Sequence, residues 1–459
     1  MINIKIKFMK RILFVLLFPL MILSCSTEKD SSEENPNVLF IVVDDLNTTL
    51  GCYGHPVVKT PNIDKLAENG LKFNHAYCNY AVCGPSRGSF LSGLRPQTIG
   101  ILDNRTPLQD VIGDRPTLPY IFRENGYYTM SLGKVFHGSD EHNDPNAWDE
   151  IHGFSATETG KQGESRNMTD GVLKWCWWQA TEGTDEDQPD GQMAQKAVEF
   201  IQSKKEKPFF LAVGFHKPHD PFIAPKKYFD LYPLDKCDPP ELPEDWEPPY
   251  PHSLPNQTDI FNKFSEQDKR EFLRSYYACT SFLDAQVGKL MQALKESGEM
   301  ENTLIVFFGD HGYHLGEHNW WNKVTIYEKG TNAPFIMAGK GVDVKGVETD
   351  AMFEFIDIYP TLAELAGLPQ PEHLEGKSFA NILGNPDQPF RSEVRAVVNR
   401  GAMMGRMVKN KEFRYIEWAN GDKGTELYDQ EKDPIEYNNL ADNPDFANVK
   451  MEMEKLIQP

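Results

Sequence analysis

Six consecutive apolar residues, Val38-Leu39-Phe40-Ile41-Val42-Val43, run straight into an acidic pair, Asp44-Asp45. A run of this kind, with no polar alternation, reads as a strand buried on both faces, as in a parallel sheet. The pattern recurs. Thr303 to Phe308 closes at Gly309, and Asp310-His311 follow at once. Phe209 to Phe215 ends at His216, and a weaker run from Tyr127 to Gly133 ends at Lys134, with His137 just beyond. Between the runs lie helical patterns. Pro61 to Glu68 carries Ile63, Leu66 and Ala67 on one face, and Lys269 to Glu296 repeats apolar residues at helical spacing. Strands alternating with helices predict an α/β fold: a doubly wound, mostly parallel sheet flanked by helices. Ligands of such sheets bind beyond the carboxyl ends of the strands. An acidic pair after one strand is more often a turn or a helix cap. Several strands delivering Asp, His and Lys to the same edge argue for a reaction site.

A second feature stands apart from the strands. The stretch Cys83-Gly84-Pro85-Ser86-Arg87-Gly88-Ser89-Phe90-Leu91-Ser92-Gly93 reads most simply as a small cysteine ahead of a helix, with Pro85 set in the first turn. It also matches C-x-P-S-R-x-x-x-L-x-G at every specified position. Farther on, Gly126 to His137 matches G-Y-x-T-x-x-x-G-K-x-x-H. With these two motifs in this order, the chain resembles the formylglycine-dependent sulfatase family of the alkaline-phosphatase-like superfamily. Within that family it is similar to the iduronate-2-sulfatase group and its bacterial polysaccharide-sulfatase relatives. The resemblance spans nearly all of residues 37–368 and is carried further by Asn37 to Leu46, Pro208 to Pro221 and Asp310 to His318.

The resemblance implies a chemistry. A separate maturation enzyme would oxidise Cys83 to formylglycine. One hydroxyl of the hydrated aldehyde would attack the sulfur of a sulfate ester. The other would then expel sulfate by elimination. Asp44, Asp45, Asp310 and His311, with the oxidised Cys83, would hold one divalent cation. Carboxylate-rich ligation suits calcium, with magnesium the second choice. Arg87 would hold the diol or the metal-site carboxylates, and Lys134 and Lys323 would bind sulfate oxygens. His137 would take the proton that starts elimination. His216, with Lys323, would protonate the leaving alcohol. His219, His314 and His318 are further candidates, for pocket or structural roles. The expected substrate is a sulfated carbohydrate, poly- or oligosaccharide, such as ulvan or a uronic-acid-containing glycan. Two other readings are a phosphoester hydrolase of the same superfamily and a catalytically dead glycan-binding lipoprotein. The presence of Cys83, Lys134 and His137 speaks against the last.

The ends of the chain read differently. Lys5, Lys7, Lys10 and Arg11 precede an apolar run from Ile12 to Leu23, too short to span a bilayer comfortably. It leads into Ile22-Leu23-Ser24-Cys25, which resembles a lipobox. The expectation is a signal peptide over 1–24, a lipid on Cys25 and a polar tether over 25–36. The protein would then be exported and held on a bacterial membrane. The catalytic domain is expected over 37–387. Residues 388–459 should form a smaller antiparallel subdomain with a strand at Phe413 to Trp418 and a closing helix near Val449 to Ile457.

Charge limits the partners. The formal charge of −21, from 47 basic and 68 acidic side chains, does not suit nonspecific nucleic-acid binding. It also repels polyanions at long range, although screening confines that effect to about 8–10 Å. A sulfate site must therefore be cationic locally. The seven cysteines show neither zinc spacing nor a dense disulfide framework. Trp175, Trp177 and Trp178 could equally stack on sugar faces or fill the core.

Overall fold

Parallel register brings the apolar runs to a common edge. In the computed structural model, which describes residues 35–138 and 144–457, the strand Asn37–Val43 pairs parallel with Thr303–Gly309 on one side and with Phe209–Phe215 on the other. Val43 lies opposite both Gly309 and Phe215, and Gly133 lies opposite Gly214. The four chains therefore leave the sheet level with one another, and the next residues are Asp44, Asp310, His216 and Lys134.

The main sheet has eight strands, in the order Val347–Thr349, Gly70–Phe73, Phe335–Gly339, Thr303–Gly309, Asn37–Val43, Phe209–Phe215, Tyr128–Gly133 and Glu150–His152. Phe335–Gly339 runs antiparallel to both neighbours, and the other pairs are parallel. This is the doubly wound, mostly parallel sheet expected from the sequence.

Alternation along the central strand divides the core into two layers. Val38, Phe40 and Val42 face a cluster with Phe90, Leu91, Leu118, Phe122, Ile358 and Leu362. Leu39, Ile41 and Val43 face Ile63, Leu66, Met193, Ile201, Leu283, Val287 and Leu290. Helices thus cover both faces, which is why the run Val38–Val43 contains no polar residue. The longest helix, Glu266–Ser297, starts at a capping box formed by Ser265 and Asp268 and ends at Gly298 in the left-handed region.

From Val394 the chain forms a four-stranded antiparallel meander, Val394–Arg400, Met403–Lys409, Phe413–Trp418 and Thr425–Asp429. One face packs Val398, Met407, Ile416 and Trp418 against the core. The other is closed by Met453 and Ile457 of the terminal helix Ala447–Ile457. The chain from Asn35 onward forms one compact unit.

Trp178 is buried in a small three-stranded sheet and donates to Glu271 at 2.9 Å, so it is a core residue. Trp175 packs on Phe261. Among the described residues the cysteines are unpaired, and no helix is long and apolar enough to cross a membrane. The expected signal peptide, Cys25 and all but the last two residues of the tether lie outside the described residues.

Candidate active site

Cys83 is the first residue of the helix Cys83–Ser92 and is fully buried. Val82 ahead of it is extended, so the thiol sits at the positive end of the helix. Gly84 donates its N–H to Asn104 Oδ1 at 2.8 Å, and a Cβ there would lie 2.8 Å from the same oxygen. A side chain there would force the Asn104 amide to move and give up this hydrogen bond. Gly93, at φ +71°, ends the helix.

The helix is bolted to the sheet edge by its polar residues. Ser86 Oγ donates to the Asp310 carbonyl. Arg87, wholly buried, donates from Nε to Asp310 Oδ2 at 2.9 Å and lies 3.5 Å from Asp44 Oδ1. Its Nη1 donates to the carbonyls of Lys134 and Val135. One guanidinium thus ties together three strand ends.

Around the thiol the charges alternate. Lys323 Nζ lies 3.1 Å from Cys83 Sγ and pairs with Asp45, while Lys134 pairs with Asp44. His311 Nε2 is 3.4 Å from Sγ, 3.4 Å from Asp45 Oδ1 and 3.5 Å from Asp310 Oδ1. Its Nδ1 faces the Gly312 carbonyl at 2.9 Å, which aims Nε2 inward.

These contacts shift the titrations. Burial and Asp44 push the Cys83 thiol up, but Lys323, Lys134 and His311 together pull it well below its ordinary value. Burial opposes the charge on Asp44, yet Lys134, His219 and Arg87 hold it well below the usual carboxylate range. Burial lifts Asp310 to about 7 against His311 and Arg87. Burial works against His311 too, and Asp310 and Cys83 outweigh it, raising the imidazole to about 9.

The donor set fits a cation. Asp44, Cys83, Asp310 and His311 offer ligand atoms within 4.8 Å of one another, and Asp44, Asp45, Cys83 and His219 form a second such group. Asp45 Oδ2 is buried with no hydrogen-bond donor, an acceptor that a cation would satisfy. Asp45 is left-handed at φ +62°, its N–H donates to Asp310 Oδ1 at 3.1 Å, and its carbonyl accepts from Tyr276 Oη at 2.7 Å.

The structure separates the histidines. His216 is turned to Asp190, which lies 3.2 Å from its Nδ1 and also accepts its backbone N–H. His219 instead brings Nε2 to 3.9 Å from Asp44 and 3.8 Å from Asp45. His137 is half-buried at the same edge, two residues beyond the Val135 carbonyl that Arg87 holds. Sequence reasoning missed Tyr276 and Asp190. Asp190 lies in the first turn of the helix Pro189–Gln202 and Tyr276 in the middle of Glu266–Ser297, and neither position carries a local signal of its role.

Residues 36–368 match the Sulfatase family, and residues 316–459 match the N-sulphoglucosamine sulphohydrolase C-terminal family. The chain belongs to the sulfatase family. A sulfatase of Formosa agariphila is 34% identical over 97% of this chain and 91% of its own. Iduronate 2-sulfatase of Homo sapiens is 31% identical over 91% of this chain and 93% of its own. A solved structure of an enzyme bound to its substrate D-glucosamine-2-N,6-O-disulfate superimposes with a TM-score of 0.75 at 22% identity, covering 92% of this chain and 97% of that one. That likeness concerns the fold. The protein is a sulfuric ester hydrolase.

Two buried histidines of this sulfatase lie in the shell around the site. His314 approaches the Glu317 carbonyl at 3.3 Å and Thr325 Oγ1 at 2.7 Å. His318 stacks on Tyr327 with centroids 4.5 Å apart. Burial depresses them to about 3 and about 4, helped at His314 by the neighbouring His318. An unfolded histidine titrates near about 6.5. Between those values the unfolded chain binds more protons, so stability is complete above about pH 6.5 and falls as the pH drops toward 4. The chemical-denaturation midpoint should decline over that interval, and His314→Gln should make the decline shallower. An equal slope in the variant would remove His314 as a cause.

Proposed function

We propose that this sulfatase removes sulfate from a sulfated carbohydrate, with formylglycine at position 83 and one divalent cation, calcium being the first choice, held by Asp44, Asp45, Asp310 and His311. The observation that carries the reading is the Cys83 side chain, buried at a helix N-terminus, with Lys323 Nζ at 3.1 Å and His311 Nε2 at 3.4 Å. When bound, the cation would polarise a sulfate oxygen and lower the charge of the attacking group.

The chain's own residues supply the rest. Lys134 and Lys323, now paired with Asp44 and Asp45, are placed to receive the negative oxygens of a sulfate ester. Arg87 pairs with Asp44 and Asp310 and aims both carboxylates. The hydrated aldehyde at position 83 would supply the hydroxyl that attacks sulfur, with the bond from sulfur to the sugar oxygen breaking. That oxygen takes a proton from His219, whose ring faces the cluster, whereas the His216 ring is bonded to Asp190. His137 would accept the proton of the second hydroxyl, which drives the release of sulfate.

His219→Asn should therefore slow turnover of sugar sulfates by about 10²–10⁴-fold. Aryl sulfates, whose phenoxide leaves unaided, should suffer far less. An equal loss on both classes would move the acid role elsewhere.

The carbohydrate assignment is supported by the 31% identity to iduronate 2-sulfatase over nearly the whole chain. A uronic-acid-containing polymer or its fragments is the substrate class to try first. Export and lipid attachment at Cys25 fit an enzyme that meets such material outside the cytoplasm. Incubation with a panel of sulfated oligosaccharides, followed by mass spectrometry of the products, tests the reading. Loss of sulfate from a defined sugar position is expected. Preferred turnover of phosphate esters over sulfate esters would overturn it.

A further inference from the structure

Arg400 closes the first strand of the C-terminal meander, and it is unlike the other arginines of the shell. Its four hydrogen bonds all go to backbone carbonyls: Nε to His252 at 3.0 Å, Nη1 to Asn399 at 3.2 Å, and Nη2 to Ser253 at 3.4 Å and Val324 at 2.7 Å. The guanidinium lies over the Trp418 ring, 5.5 Å from its centroid. Burial lowers it to about 10, and Tyr80, Tyr327 and Glu426 only partly counter that.

The shortest of these bonds ends on an unusual residue. Val324 sits at φ +72°, a conformation in which its Cβ crowds the backbone and which β-branched residues rarely adopt. Both of its backbone groups are anchored. The N–H donates to the Ala81 carbonyl at 3.1 Å, two residues before Cys83, and the carbonyl accepts from Arg400. The preceding residue is Lys323, whose Nζ touches Cys83 Sγ. Strain of this kind persists only where the surroundings over-determine it.

We infer that Arg400 is a positioning residue for the reaction: by holding the Val324 carbonyl it keeps that backbone left-handed and so sets the Lys323 ammonium against position 83. The inference rests on the reading that Lys323 acts on the sulfate group. It gives the C-terminal meander a part in catalysis without any contact between Arg400 and substrate. The same guanidinium ties the His252–Ser253 loop to the Val324 loop through their carbonyls.

The test uses the mature enzyme, with 4-nitrophenyl sulfate as substrate, and compares Arg400→Met, Lys323→Met, Val324→Gly and the Arg400→Met/Val324→Gly double variant. Methionine keeps the stem on Trp418 and removes the donors. Arg400→Met should lower kcat by about 10–100-fold, the scale of a misplaced catalytic group, with KM little changed. Glycine adopts φ +72° freely, so the double variant should recover part of that loss. Hydrogen exchange gives an independent reading. The Val324 amide should exchange faster in Arg400→Met, by more than the amides of Met403–Lys409 do. Unchanged Val324 exchange, or a loss of kcat that Val324→Gly does not relieve, would overturn the inference. A Lys323→Met enzyme as fast as the parent would refute the role of Lys323 instead, and the exchange experiment would still decide whether Arg400 holds Val324.

Discussion

Cys83→Ala should reduce kcat by about 10⁴–10⁶-fold, the loss that follows removal of a nucleophile from an otherwise intact site. The fold should survive. The side chain is fully buried, but its neighbours Lys323 and His311 both keep a carboxylate partner, Asp45 and Asp310, after the sulfur is gone. Far-UV circular dichroism and the denaturation midpoint should therefore match the parent closely. The companion measurement is chemical. Mass spectrometry of the peptide containing position 83 should show an aldehyde in active material and a thiol in inactive material. A preparation with full activity and only thiol would overturn the mechanism. Cys83→Ser distinguishes the two chemistries further. Serine offers one hydroxyl and no second one to expel sulfate, so that variant should trap sulfate covalently after a single turnover.

Arg414→Ala should cost about 3–5 kcal/mol of stability, the penalty for leaving a buried charge without its partner. Arg414 is wholly buried in the C-terminal meander. It pairs with Glu328 through Nη2, and its Nε lies 2.5 Å from Glu436 Oε1, off the line of a hydrogen bond, so that contact is mainly one of charge. Nη1 donates to the Ile326 carbonyl at 2.8 Å and to Thr331 Oγ1 at 3.1 Å. Burial opposes ionisation of Glu328, yet Lys409 and Arg414 bring it down to about 2, whereas burial lifts Glu436. Removing the guanidinium leaves two carboxylates facing one another in the interior. The denaturation midpoint should fall markedly, and converting Glu328 and Glu436 to glutamine in the same chain should recover part of the loss. A midpoint unmoved by Arg414→Ala would show that the ion cluster contributes nothing to holding the meander on the core.

The framework of the site was legible in the sequence because it depends on local pattern. The unbroken run Val38–Val43 requires burial on both faces. Its polar stop marks the sheet edge, and parallel pairing brings the other stops level. The pairings inside the site were not legible. That Lys323 meets Asp45 depends on a loop that returns from far along the chain, and that Lys134 meets Asp44 depends on the order of the strands in the sheet. The choice between His216 and His219 turns on the direction of two rings three residues apart. Asp190, in the helix Pro189–Gln202, fixes the His216 ring, and the Asp220 carbonyl fixes the His219 ring. Tyr276 is read locally as one more aromatic on a helix, yet its hydroxyl bridges the Asp45 carbonyl and the Asn47 N–H. Trp178 shows the reverse case, an aromatic that could have faced a sugar and is held in the core by Glu271.

The level strand ends also imply that length is restricted unevenly along this chain. A strand advances about 3.3 Å per residue and alternates its faces. Deleting one residue from Asn37–Val43 would draw Asp44 back from Asp310 by that distance and turn every side chain between the deletion and the edge to the opposite layer. Core and site would fail together. The connections beyond the edge carry no such ruler. Where they carry no residue of the site, they can lengthen or shorten while Asp44, Lys134 and Asp310 stay in place, leaving new sugar-facing surfaces free to arise around an unchanged sulfate-cleaving centre.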